Sequence, residues 1–171
     1  MAKEFRHLRV LREQLENYTD IETQSKILNN MNYIKDSSNP ETKAQWADEI
    51  TRRMDTHLDD ETCNKVRENC ACLLSNEKSI YAKTLRKLRK QYEDDIEYLN
   101  AVVDYLNSTK PLLRCGEVSL DGEKIVCIIA RSCECSALKG LTKPISVTWC
   151  HCCKGSILSV VKHVFPEKNV T

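Results

Sequence analysis

"RCGEVSLDGEKIVCIIA", residues 114–130, holds two β-rich runs joined by Asp121-Gly122, a pair that tolerates the left-handed backbone of a type I′ turn. This hairpin decides the fold class, because everything upstream of it reads as helix. Phe5, Leu8, Leu11 and Leu15 fall at steps of three and four and form the apolar face of a first helix. Thr19 and Glu22 have capping-box spacing and open a second, which "DSSNP" (36–40) ends. Asn39 as N-cap with Pro40 at the first helical position starts a third, whose buried stripe is Trp46, Ile50 and Met54. Asp59 or Asp60 caps a fourth, with Cys63, Val66 and Cys70 on one face. From Glu77 to Leu106 the spacing predicts one long helix: Leu85, Tyr92, Leu99 and Leu106 recur in heptads, with Tyr81, Leu88, Ile96 and Val103 between them.

After the hairpin come a short extended piece, "ISVTW" (145–149), and an amphipathic helix, "GSILSVVKHVF" (155–165), burying Ile157, Val160, Val161 and Val164. The fold class expected is therefore α+β: a helical region over residues 1–110 and a small antiparallel-sheet, cysteine-rich region over 111–171, or one continuous domain of both.

Charge excludes one class of partner. Lys and Arg number 26 against 25 Asp and Glu, net +1, without the basic excess by which a protein grips phosphates. The densest basic stretch, "KTLRKLRK" (83–90), is soon followed by "EDDIE" (93–97) and reads as a solvated helix face. The N-terminal "MAKEFRHLRVLREQ" has no apolar core of signal-peptide length, and no apolar run approaches a membrane span. These features point to the cytoplasm, where thiols stay reduced. Ten cysteines in such a compartment favour metal binding or thiol chemistry over a disulfide framework.

Three C-x-C pairs carry that chemistry: Cys70/Cys72, Cys133/Cys135 and Cys150/Cys152. Zinc binds tetrahedrally with Zn–S near ~2.3 Å, so sulfurs of one site crowd together. In a helix, residues i and i+2 diverge, and in a straight strand they lie too far apart, so a C-x-C chelate needs a turn. Gly140 and Gly155 supply turn residues after the two downstream pairs. Cys133, Cys135, Cys150 and Cys152 are the first-rank metal ligands, with Arg131, Lys139, Lys143 and Lys154 nearby to offset the negative charge of a thiolate site. Cys70 and Cys72 rank second, as ligands or as packing. Cys63, Cys115 and Cys127 read as buried small hydrophobes. Cys153, at the start of the last helix, is the candidate reactive nucleophile, and His151 is a ligand, a proton carrier or neither. Zinc is the preferred ion, with Cu(I) or an iron–sulfur cluster as alternatives. His7, His57 and His163 receive no role, and no residue is assigned as catalytic.

The stretch from Cys127 to Phe165 resembles a group of bacterial proteins with a "C-x-C … W/F-C-x-C-x-x-G" arrangement ahead of an amphipathic helix, similar to the L-2-amino-thiazoline-4-carboxylic acid hydrolase-like proteins and, more distantly, to the 4-vinyl reductase type of small-molecule-binding domain. Cys133, Cys135, Trp149, Cys150, Cys152 and Gly155 carry the likeness, with Val160 to Phe165 behind them, and Cys70/Cys72 fits the first group. The resemblance implies a metal- or ligand-binding α+β domain. In the 4-vinyl reductase type further strands follow the last helix, where this chain has only "PEKNVT". The expected function is a metal-organised cysteine-site protein that binds a small molecule or a protein partner. The alternatives are a metal-assisted hydrolase of a small sulfur- or nitrogen-containing substrate and a thiol redox or soft-metal-handling protein. The stripe from Tyr81 to Leu106 and the hairpin's edges lead to the expectation of a homodimer.

Overall fold

Side-chain caps fix where the first helices begin. The computed structural model describes residues 3–71, 80–108, 116–129 and 135–164. α1 (Arg6–Tyr18) is followed by α2 (Ile21–Leu28), whose cap is Asp20: its carboxylate accepts from Thr23 N at 2.8 Å. The capping pair is thus one residue later than Thr19 and Glu22, because Thr19 closes α1 instead, its Oγ1 donating to Leu15 O at 2.7 Å. α2 ends at Leu28, well short of "DSSNP", and the chain turns through Asn30 at φ 58. Asn39 caps α3 (Pro40–His57), with Pro40 at its start as the sequence requires, and Asp59 caps α4 (Asp60–Asn69).

The described residues form an α+β protein: helices throughout and one two-stranded antiparallel sheet in the C-terminal half. The chain divides into two compact units. The first combines Met1–Leu74 with Cys135–Ser156; the second combines Ser75–Glu134 with Ile157–Thr171.

The core of the first unit is built from the apolar stripes expected of its helices. Leu8, Leu11 and Leu15 of α1, Trp46, Ile50 and Met54 of α3, and Cys63, Val66 and Cys70 of α4 are all buried in one cluster. Trp46 buries its indole and donates Nε1 to Met31 O at 3.0 Å, so its polar atom is satisfied inside. Ala137, Leu138 and Trp149 return to the same core from 3-10 turns at Ser136–Leu138 and Val147–Cys150. The second of these replaces the extended piece expected at "ISVTW". Ser146 caps it, with Oγ accepting from Thr148 N, and Val147 is left exposed while Thr148 and Trp149 turn inward. The last helix, α7 (His151–Val164), begins four residues before Gly155 and so takes in Cys152 and Cys153. The side chains of Val160, Val161 and Val164 lie outside the described set.

In the second unit the long helix expected from Glu77 to Leu106 is two: α5 (Ile80–Arg89) and α6 (Asp95–Ser108). The heptad pattern ignores Asp94, whose Oδ1 accepts from both Ile96 N and Glu97 N at 2.9 Å and starts a new helix. Leu85 then packs with Tyr98, Val102 and Leu106, and Ile96, which the heptads place on the buried stripe, is exposed. Part of the stripe is thus buried within its own unit. β1 (Gly116–Asp121) and β2 (Lys124–Ile129) pair with Asp121 opposite Lys124, so the turn residues are Gly122 and Glu123. Gly122 has φ +59 and Glu123 does not share the positive sign, the pattern of a type II′ turn rather than I′. Val118 of β1 and Cys127 of β2 face the α5–α6 pair, and Asn107 fastens α6 to β1 by bonding both Val118 N and Val118 O.

Gly140 lies in a turn as expected, whereas Gly155 falls inside α7, and both glycines also allow close backbone approach. Neither has a positive φ. A Cβ on Gly140 would meet the backbone of Pro40 and Glu41 at 2.5–2.6 Å. On Gly155 it would sit 2.6 Å from Glu68 Cα and closer still to the Glu68 carbonyl oxygen. Gly155 therefore lets the start of α7 lie directly on the backbone of α4. Gly155→Ala should lower the unfolding free energy by about 1–3 kcal/mol, the usual cost of overpacking, or more because the clash is with backbone. Urea unfolding followed by circular dichroism checks it, and a wild-type midpoint would refute the close approach.

Candidate functional site

The buried face of α4 carries an anomaly. Cys63, Val66 and Cys70 mark an apolar stripe, and Arg67 sits inside it at 1% exposure. A buried guanidinium loses several kcal/mol of hydration unless charge and hydrogen bonds replace it. Part of the replacement comes from Trp149. Arg67 Nη2 donates to the Trp149 carbonyl at 2.9 Å, and the guanidinium lies 4.2 Å from the centre of the indole ring. No carboxylate pairs with it among the described residues, and the neighbouring Glu68 binds Lys154 at 2.8 Å. Arg67 Nε and Trp149 Nε1 are both buried and find no acceptor among the described residues.

Thiols and imidazoles surround this cation. Cys70 closes α4 and is buried, and Cys152, in the first turn of α7, is 2% exposed. Burial pushes the Cys70 thiol up to about 11, with Arg67 pulling against that rise and Cys152 adding to it. Cys63 is likewise pushed up to about 11 by burial, the largest effect, so it holds its proton. His7 is lowered first by burial and then by the charge of Arg67, with Cys152 opposing. His151 is lowered by burial and by Lys154, and it too feels both Arg67 and Cys152. Arg67 and His7 both lie against the Trp149 ring, and Cys70 and Cys152 belong to the core cluster that contains it. The rings extend the cluster: His7 lies 5.8 Å from Trp149 and 5.1 Å from Phe5, and Trp149 meets Trp46 edge-on at 6.2 Å.

The sequence-derived ligands are sorted by this packing. Cys135, ahead of the turn at Ser136–Leu138, and Cys153 are half-buried and pack against the core that holds Cys70 and Cys152. Cys150 ends the 3-10 turn and is half-buried, while Cys152 is inside the core. Helical geometry therefore spreads this C-x-C pair instead of pinching it. Cys72, Cys133 and Cys115 lie outside the described residues. Among the described residues no three of His, Cys, Asp or Glu are grouped so as to hold a metal ion. Cys127 packs in the second unit against the α5–α6 pair.

Arg67 and His7 were given no part by the reading of motifs. The signal for Arg67 was present: it falls at the i+4 position from Cys63 and directly after Val66, inside an apolar stripe where a cation is out of place. An open cleft of about 540 Å³ lies elsewhere, where Asp20 and Asp59 cap α2 and α4 and Tyr18 and His57 end α1 and α3. Its two aspartates already accept hydrogen bonds from Thr23 and Thr62.

Fold and cluster define a predominantly helical α+β protein with thiols and imidazoles gathered around a buried arginine. Residues 3–169 match a family of unknown function, DUF6144, and the chain belongs to that family. No curated protein and no solved structure matches it. No helix among the described residues is long and apolar enough to cross a membrane.

The depressed His7 gives a pH signature. A histidine whose native value lies below its unfolded value of 6.5 leaves stability intact above pH 6.5, and stability falls as the unfolded state gains a proton the native state refuses. The wild-type urea midpoint should therefore drop between pH 6.5 and 5, and the drop should be shallower in His7→Phe. Parallel profiles for the two proteins would show that His7 protonates as readily in the native state.

Proposed function

We propose that the protein is built around a cysteine-bound metal, zinc by preference, in its first unit. The observation that carries this reading is convergence. Residues from all three C-x-C pairs, Cys70, Cys135 and Cys152, meet on one apolar cluster, with Cys153 beside them. Such a gathering of thiols in a core is more than small-hydrophobe packing needs, and it places soft donors where water is excluded. Cys135 and Cys150, half-buried rather than sealed in the core, are the described cysteines best placed to reach such an ion.

A centre saturated by thiolates has no open coordination position, so this reading makes the metal an organiser of the fold and not a hydrolytic cofactor. Binding of a small molecule or a protein partner then falls to the surface that the centre stabilises. The buried, cation-flanked Cys152 also favours a second reading, a thiol redox protein, in which no metal is held.

Purified full-length protein should carry about one zinc per chain by elemental analysis. Chelation under reducing conditions should lower the melting temperature markedly, because metal binding energy is also folding energy. Cys135→Ser should lose the metal, and Cys127→Ser, in the second unit, should keep it. Metal-free protein whose melting is indifferent to chelator and to added zinc would overturn the proposal and leave the redox reading.

A further inference from the structure

A cation sealed in an apolar core needs an anion. Arg67 is 1% exposed, and among the described residues no carboxylate pairs with it. Its neighbour Glu68 is held by Lys154 at 2.8 Å, so those two charges cancel each other. Arg67 Nη2 is taken up by the Trp149 carbonyl at 2.9 Å, while Nε stays unbonded. Trp149 is equally buried, its ring centre lies 4.2 Å from the guanidinium, and its Nε1 is unbonded as well. A carbonyl and a π face solvate a guanidinium in part but bring no negative charge. Trp46 shows the ordinary arrangement for a buried indole, with Nε1 donating to Met31 O at 3.0 Å. Two orphan donors beside one unbalanced charge are instead the donor set of an anion site.

We propose that Arg67 Nε and Trp149 Nε1 bind a compact monovalent anion of the halide class, chloride in its physiological form. The site calls on no cysteine and no metal, so it stands apart from the metal reading above. Size and charge select the ligand. Both side chains are 1% exposed, and the open cleft beside Asp20 and Asp59 is lined by neither. A core closed that tightly has room for a monoatomic ion and not for a metabolite. One negative charge matches one positive charge, whereas a divalent oxyanion leaves an excess and has more hydration to lose. A halide accepts from any direction and so serves two donors whose angle the stacking has already fixed. Water could accept from both, but it leaves the charge unanswered. The rings of His7 and Trp46, at 5.8 and 6.2 Å from that of Trp149, keep bulk solvent away and strengthen the attraction to the guanidinium. The ion completes the joint between α4 and the turn at Val147–Cys150, and the stability of the first unit depends on it.

Chloride is the probe, added to full-length protein dialysed into gluconate at constant ionic strength. The melting temperature should rise saturably, by roughly 5–10 °C once chloride stands ~100-fold above its dissociation constant. Arg67→Met keeps most of the side chain's bulk without its charge and should abolish the rise. Trp149→Phe keeps a ring beside the guanidinium without Nε1, and should raise the half-saturating chloride roughly 10-fold, the effect of one lost hydrogen bond to a charged group. A second readout needs no substitution. Iodide quenches tryptophan emission on contact, and both tryptophans are buried away from bulk quencher. Quenching of the wild type should therefore saturate, and chloride should reverse it. A melting temperature indifferent to chloride, or an equal rise in Arg67→Met, would overturn the proposal, the latter as a general salt effect. An unshifted midpoint in Trp149→Phe, or iodide quenching that chloride does not reverse, would overturn it equally. Should Arg67→Met fail to fold, Trp149→Phe and the iodide competition decide.

Discussion

A guanidinium stacked on an indole, deep in an apolar core, is the contact on which the first unit depends. Arg67 donates to the Trp149 backbone and covers its ring, so α4 and the turn that carries the clustered cysteines are joined by one side chain. The Trp149 ring in turn meets Trp46 of α3 and His7 of α1, and Phe5 meets Trp46 at 5.4 Å. Four parts of the chain are thereby keyed to one aromatic assembly with defined angles, which constrains orientation in a way that aliphatic packing alone does not. The close approach of Gly155 to Glu68, one residue after Arg67, sets α7 against the same part of α4.

Much of this was legible in the residues. Asn39 with Pro40, Asp59 with Thr62, and the stripes of α1, α3 and α4 behave as local chemistry dictates, because caps and periodic burial are decided within a turn or two of helix. The failures share a cause. The run from Tyr81 to Leu106 keeps its heptads across a helix break, since Asp94 competes for the backbone donors more strongly than hydrophobic spacing argues against it. "ISVTW" has strand composition, yet the Ser146 cap and the burial of Trp149 turn it into a tight helical turn. β-propensity measures fit to a sheet, and among the described residues no strand pairs with this stretch.

The candidate site was legible in part. The cysteines announced themselves by spacing, but spacing does not say which sulfurs enter a core and which remain at its margin. That division follows from α7 beginning at His151, which turns Cys152 inward. Arg67 escaped a reading based on motifs because one arginine matches none; it stands out only as a breach of an otherwise apolar face. Exceptions to pattern were thus as informative about the site as the pattern was.

The bond between Arg67 and Trp149 spans 82 positions of sequence, with the whole of Ser75–Glu134 emerging between its two ends. During synthesis the first four helices leave the ribosome with a charged side chain on the face that must become their interior and with the groove for Trp149 vacant. Closing so long a loop is slow compared with forming helices, and its cost in chain entropy must be met before the ring contacts can repay it. The intervening segment has a helix pair and a hairpin that are local in sequence and can form meanwhile. The nascent chain thus exposes cysteines and a half-made core until residue 156 is clear of the ribosome, and protection of its thiols in that interval is a demand the topology places on the cell.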